Sequence, residues 1–255
     1  MGNLLLAGLL EITEDPVATL DTVAGLLGAA GRVLPMSTVP LDIEAEVELD
    51  GVEGRHRIRG QVAVASTPGR VHRVWLRPED PPACPEAVRA VREADVVLLG
   101  PGSWFTSVLP HLLVPQLREA LLQTAARKVL LLNLAPEPGE TAGFSPEQHV
   151  EVLFEHAESL RVHAVLADTE SVPLPERLYR ASAEVLVTGG KVHLFGVAEV
   201  DATTPRHDPA RLARSLLEVF DEIADDGPGA RVPAPTRSDD DEICLLYTSD
   251  AADEG

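Results

Sequence analysis

Apolar positions in this chain fall into two kinds of run. Short unbroken runs, Val96 to Leu99 and Val129 to Leu132, have the length of parallel strands buried on both faces. A third strand is read at 161–166 and a short one at 32–36. Elsewhere the apolar residues recur at helical spacing. Val17, Leu20, Val23, Ala24 and Leu27 follow Asp15-Pro16, which supplies an N-cap and a first-turn proline. Val150, Leu153, Phe154 and Ala157 follow Pro146 in the same way. Helices are also read at 3–12, 85–93 and 117–126, and from Pro209 to Phe220. Strand–loop–helix units of this length predict a mostly parallel sheet through 32–36, 95–99, 129–133 and 162–166, with right-handed crossovers and helices on both faces. The 95–99 stretch is expected at its centre.

Residues 41–76 change period. Leu41, Ile43, Ala45, Val47 and Leu49 alternate with acidic residues, Asp50-Gly51 is a turn signal, and the alternation continues through 57–65 and 71–76. This predicts an antiparallel meander inserted at an edge of the parallel units. Its acidic first strand is set to face Arg55, Arg57 and Arg59, in exposed pairs worth some tenths of a kcal/mol each. Short strands are expected at 184–187 and 191–198. The fold class is therefore α/β, in three αβα layers, with a small β meander insertion. Residues 1–226 form the folded domain. The run from Gly227 to Thr236 reads as linker. Residues 227–255 are expected to be disordered. Cys244-Leu-Leu-Tyr-Thr-Ser-Asp-Ala-Ala-Asp-Glu resembles sequencing-adapter read-through and is left out of the fold expectation.

Charge narrows the function. The 255 residues carry a net charge of −20, of which residues 221–255 supply −9. Nucleic-acid and anionic-membrane partners need a basic face and are not expected. No apolar run reaches the roughly 20 residues of a membrane span. The apolar stretch Leu4 to Leu10 has no basic flank and runs into Glu11, Glu14 and Asp15, so it is not read as a signal peptide. Cys84 and Cys244 form neither a disulfide framework nor a metal pattern, and the simple reading is a reduced, cytoplasmic protein.

The chemistry concentrates after Leu99. Gly100-Pro101-Gly102-Ser103 separates a buried strand from a helix that Thr106 or Ser107 can cap and in whose first turn Pro110 falls. Such a loop gathers backbone N–H groups and suits a phosphate, or is a plain strand-to-helix turn. Ser103, Thr106 and Ser107 donate to phosphate or only cap. Trp104 and Phe105 wall a base or pack in the core. His111, His149 and His156 are read as helix-surface residues, and no metal site is expected. Asn133 closes a strand at the edge where α/β proteins bind ligands, with Glu140 and Thr141 beside it after a Pro-Gly turn.

The stretch Gly100-Pro-Gly-Ser-Trp-Phe-Thr-Ser-Val-Leu-Pro-His-Leu-Leu-Val resembles the signature loop of the gluconeogenesis-factor (YvcK-type) family, and more distantly the 2-phospho-L-lactate transferases (CofD-type). Gly2-Asn-Leu-Leu-Leu-Ala-Gly-Leu, Gly31-Arg-Val-Leu-Pro-Met-Ser-Thr and Asn133-Leu-Ala-Pro-Glu-Pro-Gly-Glu-Thr-Ala-Gly-Phe-Ser resemble other stretches of that family, in the same order. The resemblance implies a Rossmann-like domain. It also implies a UDP-sugar ligand, UDP-N-acetylglucosamine, and a regulatory role in carbon metabolism and cell shape. Family members begin with a strand, a Gly-Gly-Gly-type loop and an Asp-Asp-Gly-Gly segment, so this chain is expected to lack the N-terminal glycine-loop unit.

Position on these loops makes Gly100, Gly102, Ser103, Thr106, Asn133, Glu140 and Thr141 candidate ligand contacts; the resemblance adds Asn3, which is a ligand contact or a helix cap, Tyr179 and Arg206. Arg206 precedes a helix start, a good place for an anion clamp or for a surface ion pair. Glu137 stands where many relatives have glutamine. The alternative is an enzyme moving a phospholactyl group from a nucleotide-activated donor to a deazaflavin, and Mg2+ belongs to that reading alone. A homo-oligomer is compatible with either.

Overall fold

The computed structural model describes residues 2–49, 51–137, 139, 141–200, 202–225 and 243–247, without the side chains of Asn3, Asp225 and 243–247. Helices α1 (Gly2–Thr13) and α2 (Pro16–Leu27) come first. Asp15 caps α2 by accepting from the N–H groups of Val17 at 2.9 Å and Ala18 at 3.2 Å, and Gly28 ends it in the left-handed conformation. Losing such an N-cap costs about 0.5–2 kcal/mol.

Strand β1 (Gly31–Pro35) follows, then β2 (Asp42–Glu48), β3 (Arg55–Arg59), the short helix α3 (Gln61–Ala65) and β4 (Arg70–Arg77). The meander is antiparallel in the order β3-β2-β4. Ile43, Ala45 and Val47 face Val71, Val74 and Leu76 in the core, while Arg55 pairs with Glu46 at 2.8 Å and Arg59 with Asp42 at 2.6 Å on the wet side. The expected strand over 61–65 is corrected. Gly60, at φ 100°, turns the chain there into α3.

Helix α4 (Pro85–Glu93) leads into β5 (Val96–Leu99). A π-helical turn (Trp104–Val108), α5 (Pro110–Leu113) and α6 (Pro115–Gln123) carry the chain to β6 (Arg127–Leu131). Next come α7 (Pro146–His156), β7 (Val162–Asp168), α8 (Pro175–Ser182), β8 (Leu186–Phe195), α9 (Pro209–Asp225) and β9 (Ile243–Tyr247). Helix α8 is an addition to the expected elements, and 186–195 is one strand rather than two. Its register against β7 jumps, Val162 opposing Leu186 but Ala164 opposing Lys191, so residues 187–190 bulge out.

The main sheet is parallel, in the order β5-β6-β7-β8. This is a Rossmann-like α/β fold, but two expectations are corrected. Strand β5 lies at the edge of the described sheet rather than its centre, with Leu98 43% exposed, while β6 and β7 are the strands buried on both faces. Strand β1 is not in this sheet and pairs in parallel with β9, from Gly31 opposite Ile243 to Pro35 opposite Tyr247. The tail is therefore not uniformly without structure. Ile243 to Tyr247 is an apolar run of strand length meeting an unpaired edge. Residues 227–242 and 248–255 lie outside the described residues.

Strand order decides the layers. Right-handed crossovers that always step in one direction place α6, α7 and α8 on one face. Leu130, Leu132, Val165 and Ala167 point to that face, against Leu117, Leu121, Val150, Leu153 and Leu178, in a core shared with the meander. Val129, Leu131, Ala164 and Leu166 point the other way and meet α9 through Val219, Ile223 and Phe220. A helix is about 10 Å wide, and four strands span roughly 14 Å between their outer axes, so α9 leaves the β5 end of its face open.

Leu4, Ile12, Leu26 and Leu27 on the contacting helices α1 and α2 are 72–79% exposed. Clustered apolar surface of this kind drives association. The apparent mass from light scattering is expected to rise with protein concentration, and Ile12→Lys with Leu27→Lys to reduce that rise. A monodisperse monomer across the whole range would contradict this.

Candidate functional site

All four strands of the main sheet end on one edge, and the loops that follow them form a row. Gly100, at φ 80°, turns the chain directly after β5; a Cβ there would meet the Leu131 carbonyl oxygen at 2.5 Å, so only glycine fits. Two bonds tie the loop to Asn133. Asn133 Oδ1 accepts from the Gly102 N–H at 2.9 Å, and Asn133 Nδ2 donates to the Gly102 carbonyl at 2.8 Å. Nδ2 also reaches Glu137 Oε1 at 3.4 Å, and the Glu137 N–H donates to Thr141 Oγ1 at 2.8 Å. A Cβ on Gly139 would lie 2.1 Å from the carbonyl oxygen of Ala65, so this second loop rests on the end of α3. The glycine loop, Asn133, Thr141 and the meander's helix thus form one connected unit.

The helix after the glycine loop differs from expectation. Ser103 O accepts from the N–H groups of Ser107 at 2.8 Å and Val108 at 3.0 Å, and Trp104 O from Leu109 at 2.9 Å. Thr106 and Ser107 sit inside this π turn rather than at a helix start; α5 begins at Pro110 after Leu109, which supplies no side-chain cap. Pro110 explains the break. In a continuous α-helix it has no N–H for Thr106 O, and its ring clashes with that carbonyl. Thr106 is buried, with its hydroxyl 2.5 Å from that of Ser103.

Trp104 and Phe105 are fully buried core residues. Trp104 meets His149 edge-on at 5.2 Å, and Phe105 meets Phe144 at 6.0 Å. The surface reading of the histidines is corrected as well. His111, His149 and His156 place Nδ1 at 2.7, 2.9 and 2.8 Å from the carbonyl oxygens of Ser107, Ser145 and Val152, each four residues back. A carbonyl only accepts, so Nδ1 carries the proton, and each Nε2 is left buried without a partner. Burial pushes all three imidazoles below their ordinary range.

Further along the row stands Asp168, which the sequence reading missed. It closes β7, is 2% exposed and accepts from the N–H groups of Val197 at 2.8 Å, Ala198 at 3.0 Å, Glu170 at 3.0 Å and Ser171 at 3.2 Å. An aspartate ending an apolar run, with serine three residues on, was the signal available. Ala198 in turn bridges to His207, and the Arg206 carbonyl accepts from Glu199 N–H at 2.8 Å. Arg206 is therefore on the same edge, exposed, at the β8 end of the row and opposite to the glycine loop after β5. The first N–H groups of α9 are already occupied, Asp208 accepting from Ala210 and Arg211 at 2.9 Å each.

Tyr179 does not join the row. It is 47% exposed on α8 and lines a cleft with Leu186, the 187–190 bulge and Val192, beside the first half of β8. Glu140 and the side chain of Asn3 lie outside the described residues. Among the described residues no group of three or more His, Cys, Asp or Glu side chains gathers to hold a metal, and no helix is long and apolar enough to cross a membrane.

Fold and edge together define an α/β protein of the Rossmann-like kind, with its strand-end loops cross-linked at the carboxyl side of a parallel sheet. Residues 1–199 match the family model described as 2-phospho-L-lactate transferase CofD. A protein of Mycobacterium tuberculosis is 52% identical over 220 residues, which cover 85% of this chain and 63% of that protein. The gluconeogenesis factor of Bacillus subtilis is 34% identical over 232 residues, 87% of this chain and 72% of its own length. A crystal structure of a Bacillus halodurans protein of the UPF0052 family superposes with a TM-score of 0.69 at 30% identity, covering 85% of this chain and 71% of that one. The chain belongs to the gluconeogenesis-factor family, within the CofD group, and spans about three fifths of its mycobacterial relative.

The buried histidines carry a pH dependence of known sign. Their folded pKa values lie below the unfolded value of about 6.5, so the unfolded chain takes up protons first and stability falls as pH drops below that value. Denaturant titrations are expected to give full stability near neutrality and a loss on acidification. The loss should shrink in His149→Phe, and an unchanged slope in that variant would remove His149 from the effect.

Proposed function

We propose that this chain is the larger part of a UDP-sugar-binding regulatory protein, with UDP-N-acetylglucosamine as its ligand, linked to carbon metabolism and cell shape. The observation that carries the reading is the union of the Gly100–Ser103 loop, Asn133 and the 137–141 turn at the carboxyl edge of a parallel sheet, the usual ligand side of such sheets. Family membership supports the regulatory reading. The row of loops from Gly100 to Arg206 is long and suits an extended ligand better than a single phosphate. Arg206 then serves as the anion clamp at the far end, through its guanidinium rather than the occupied start of α9.

The description of the matching family model favours a second reading, transfer of a phospholactyl group from a nucleotide-activated donor onto a deazaflavin alcohol. The same edge would hold the donor. Calorimetric titration with UDP-N-acetylglucosamine, GDP and the deazaflavin separates the two, and a mass-spectrometric assay for phospholactyl transfer adds a direct test of the second. In the preferred reading only the UDP-sugar binds. Arg206→Ala then weakens it roughly tenfold to a hundredfold, from a charge-assisted hydrogen bond of about 1.5–3 kcal/mol, with little change in Tm. Absence of UDP-sugar binding would overturn the reading; unchanged affinity would take Arg206 out of the site.

A further inference from the structure

We infer that Asn133 is a positioning residue, not a ligand contact: its amide locks the Gly102 peptide groups from both sides and makes the two strand-end loops one rigid unit. The bonds are reciprocal, Oδ1 accepting the Gly102 N–H at 2.9 Å and Nδ2 donating to the Gly102 carbonyl at 2.8 Å. Together they close a ring around the Gly102 Cα, which holds φ at 146°. The second Nδ2 proton goes towards Glu137 Oε1 at 3.4 Å, so both amide protons of Asn133 are directed at protein acceptors. The Glu137 N–H then passes to Thr141 Oγ1 at 2.8 Å, and Thr141 is fully buried.

The Gly102 N–H is consumed inside the protein and is not one of the donors that meet a ligand. The shape of the loop after β5 is held by a residue after β6, so whatever displaces Asn133 opens both loops together. A planar amide suits this place because one short side chain accepts and donates at once, on two adjacent atoms. Glu137, on the following turn, is the titratable side chain in hydrogen-bond contact with the amide.

The proposal rests on the nucleotide-sugar reading only for its link to binding. Hydrogen exchange of the Gly102 amide, followed by NMR on the full chain, tests the lock without any ligand. The wild-type Gly102 N–H is expected to be protected both near pH 7.5 and near pH 4. In Asn133→Asp a carboxylate oxygen faces the Gly102 carbonyl and Glu137, and protection should drop roughly tenfold at the higher pH, the loss of about one hydrogen bond. Protonation of the new carboxyl, near or below the ordinary aspartate value of about 4, gives back the donor to the Gly102 carbonyl and should restore it, while the second substitution Glu137→Gln relieves only the repulsion from Glu137 and should restore it in part. UDP-N-acetylglucosamine affinity should follow the same order: lost in Asn133→Asp, regained at low pH and partly regained in the double variant.

An unprotected Gly102 amide in the wild type, or protection unaltered by Asn133→Asp, would overturn the lock. Lost affinity with protection intact would make Asn133 a direct contact instead. If the variant fails to fold, the wild type still decides, because the Asn133 side-chain amide protons should be slow to exchange and keep their shifts when UDP-sugar is added; fast exchange or a large shift overturns the proposal. If the wild type binds no UDP-sugar, that ligand is removed and the exchange data alone decide the lock.

Discussion

The constraint on which this structure depends is the handedness of its crossovers. Four parallel strands laid down in chain order, each joined to the next by a right-handed connection, send every connecting helix to the same face. Helices α6, α7 and α8 cover that face and share its core with the meander. The opposite face waits for α9, the helix that follows the last strand of the sheet, and one helix is too narrow for four strands. The exposure of Leu98, the burial of β6 and β7 on both faces and the alignment of all strand-end loops on one edge follow from this single rule.

That edge creates a polar problem. Where a strand ends, its last N–H and C=O groups leave the ladder, and burying them unpaired costs about 1–3 kcal/mol each. Two side chains solve it. Asn133 takes both groups of Gly102, and Asp168 takes the N–H groups of the segment beyond β8 as well as those of its own turn. Each links its own strand end to a neighbour's, so the residues that satisfy the backbone also set the relative positions of the loops. Function at such an edge needs this rigidity, because loops that must be ordered on binding weaken affinity by the ordering they require.

The helical face has a different solution for its histidines. Each of the three gives its Nδ1 proton to the carbonyl one turn back, which makes the neutral ring compatible with its burial, for His149 and His156 against Trp104, Phe105 and Phe144. The uncompensated Nε2 atoms are the cost, and they make neutrality of the rings a condition of the fold.

Local features were legible in the sequence because their causes are local. Asp15-Pro16 and Pro146 announce helix starts through capping and a fixed φ, and Gly100 marks its turn through a positive φ of 80°. The alternation over 41–49 and the apolar runs at 96–99 and 129–132 identified strands and their class. Neighbours decided the rest. Val96 to Leu99 is as apolar as Val129 to Leu132, so nothing in its composition marks it as an edge; only strand order does. His149 and His156 occupy helix positions open to either surface or core, and packing against Trp104 and Phe105 put them inside. Tyr179 and Arg206 each looked fit for a ligand, yet Tyr179 lies beside the first half of β8, while Asp168 holds the return segment that carries Arg206 on the loop edge. Spacing along a chain records which groups can bond within a turn or two; which distant groups meet depends on strand order and crossover hand, and these exist only once the sheet is assembled.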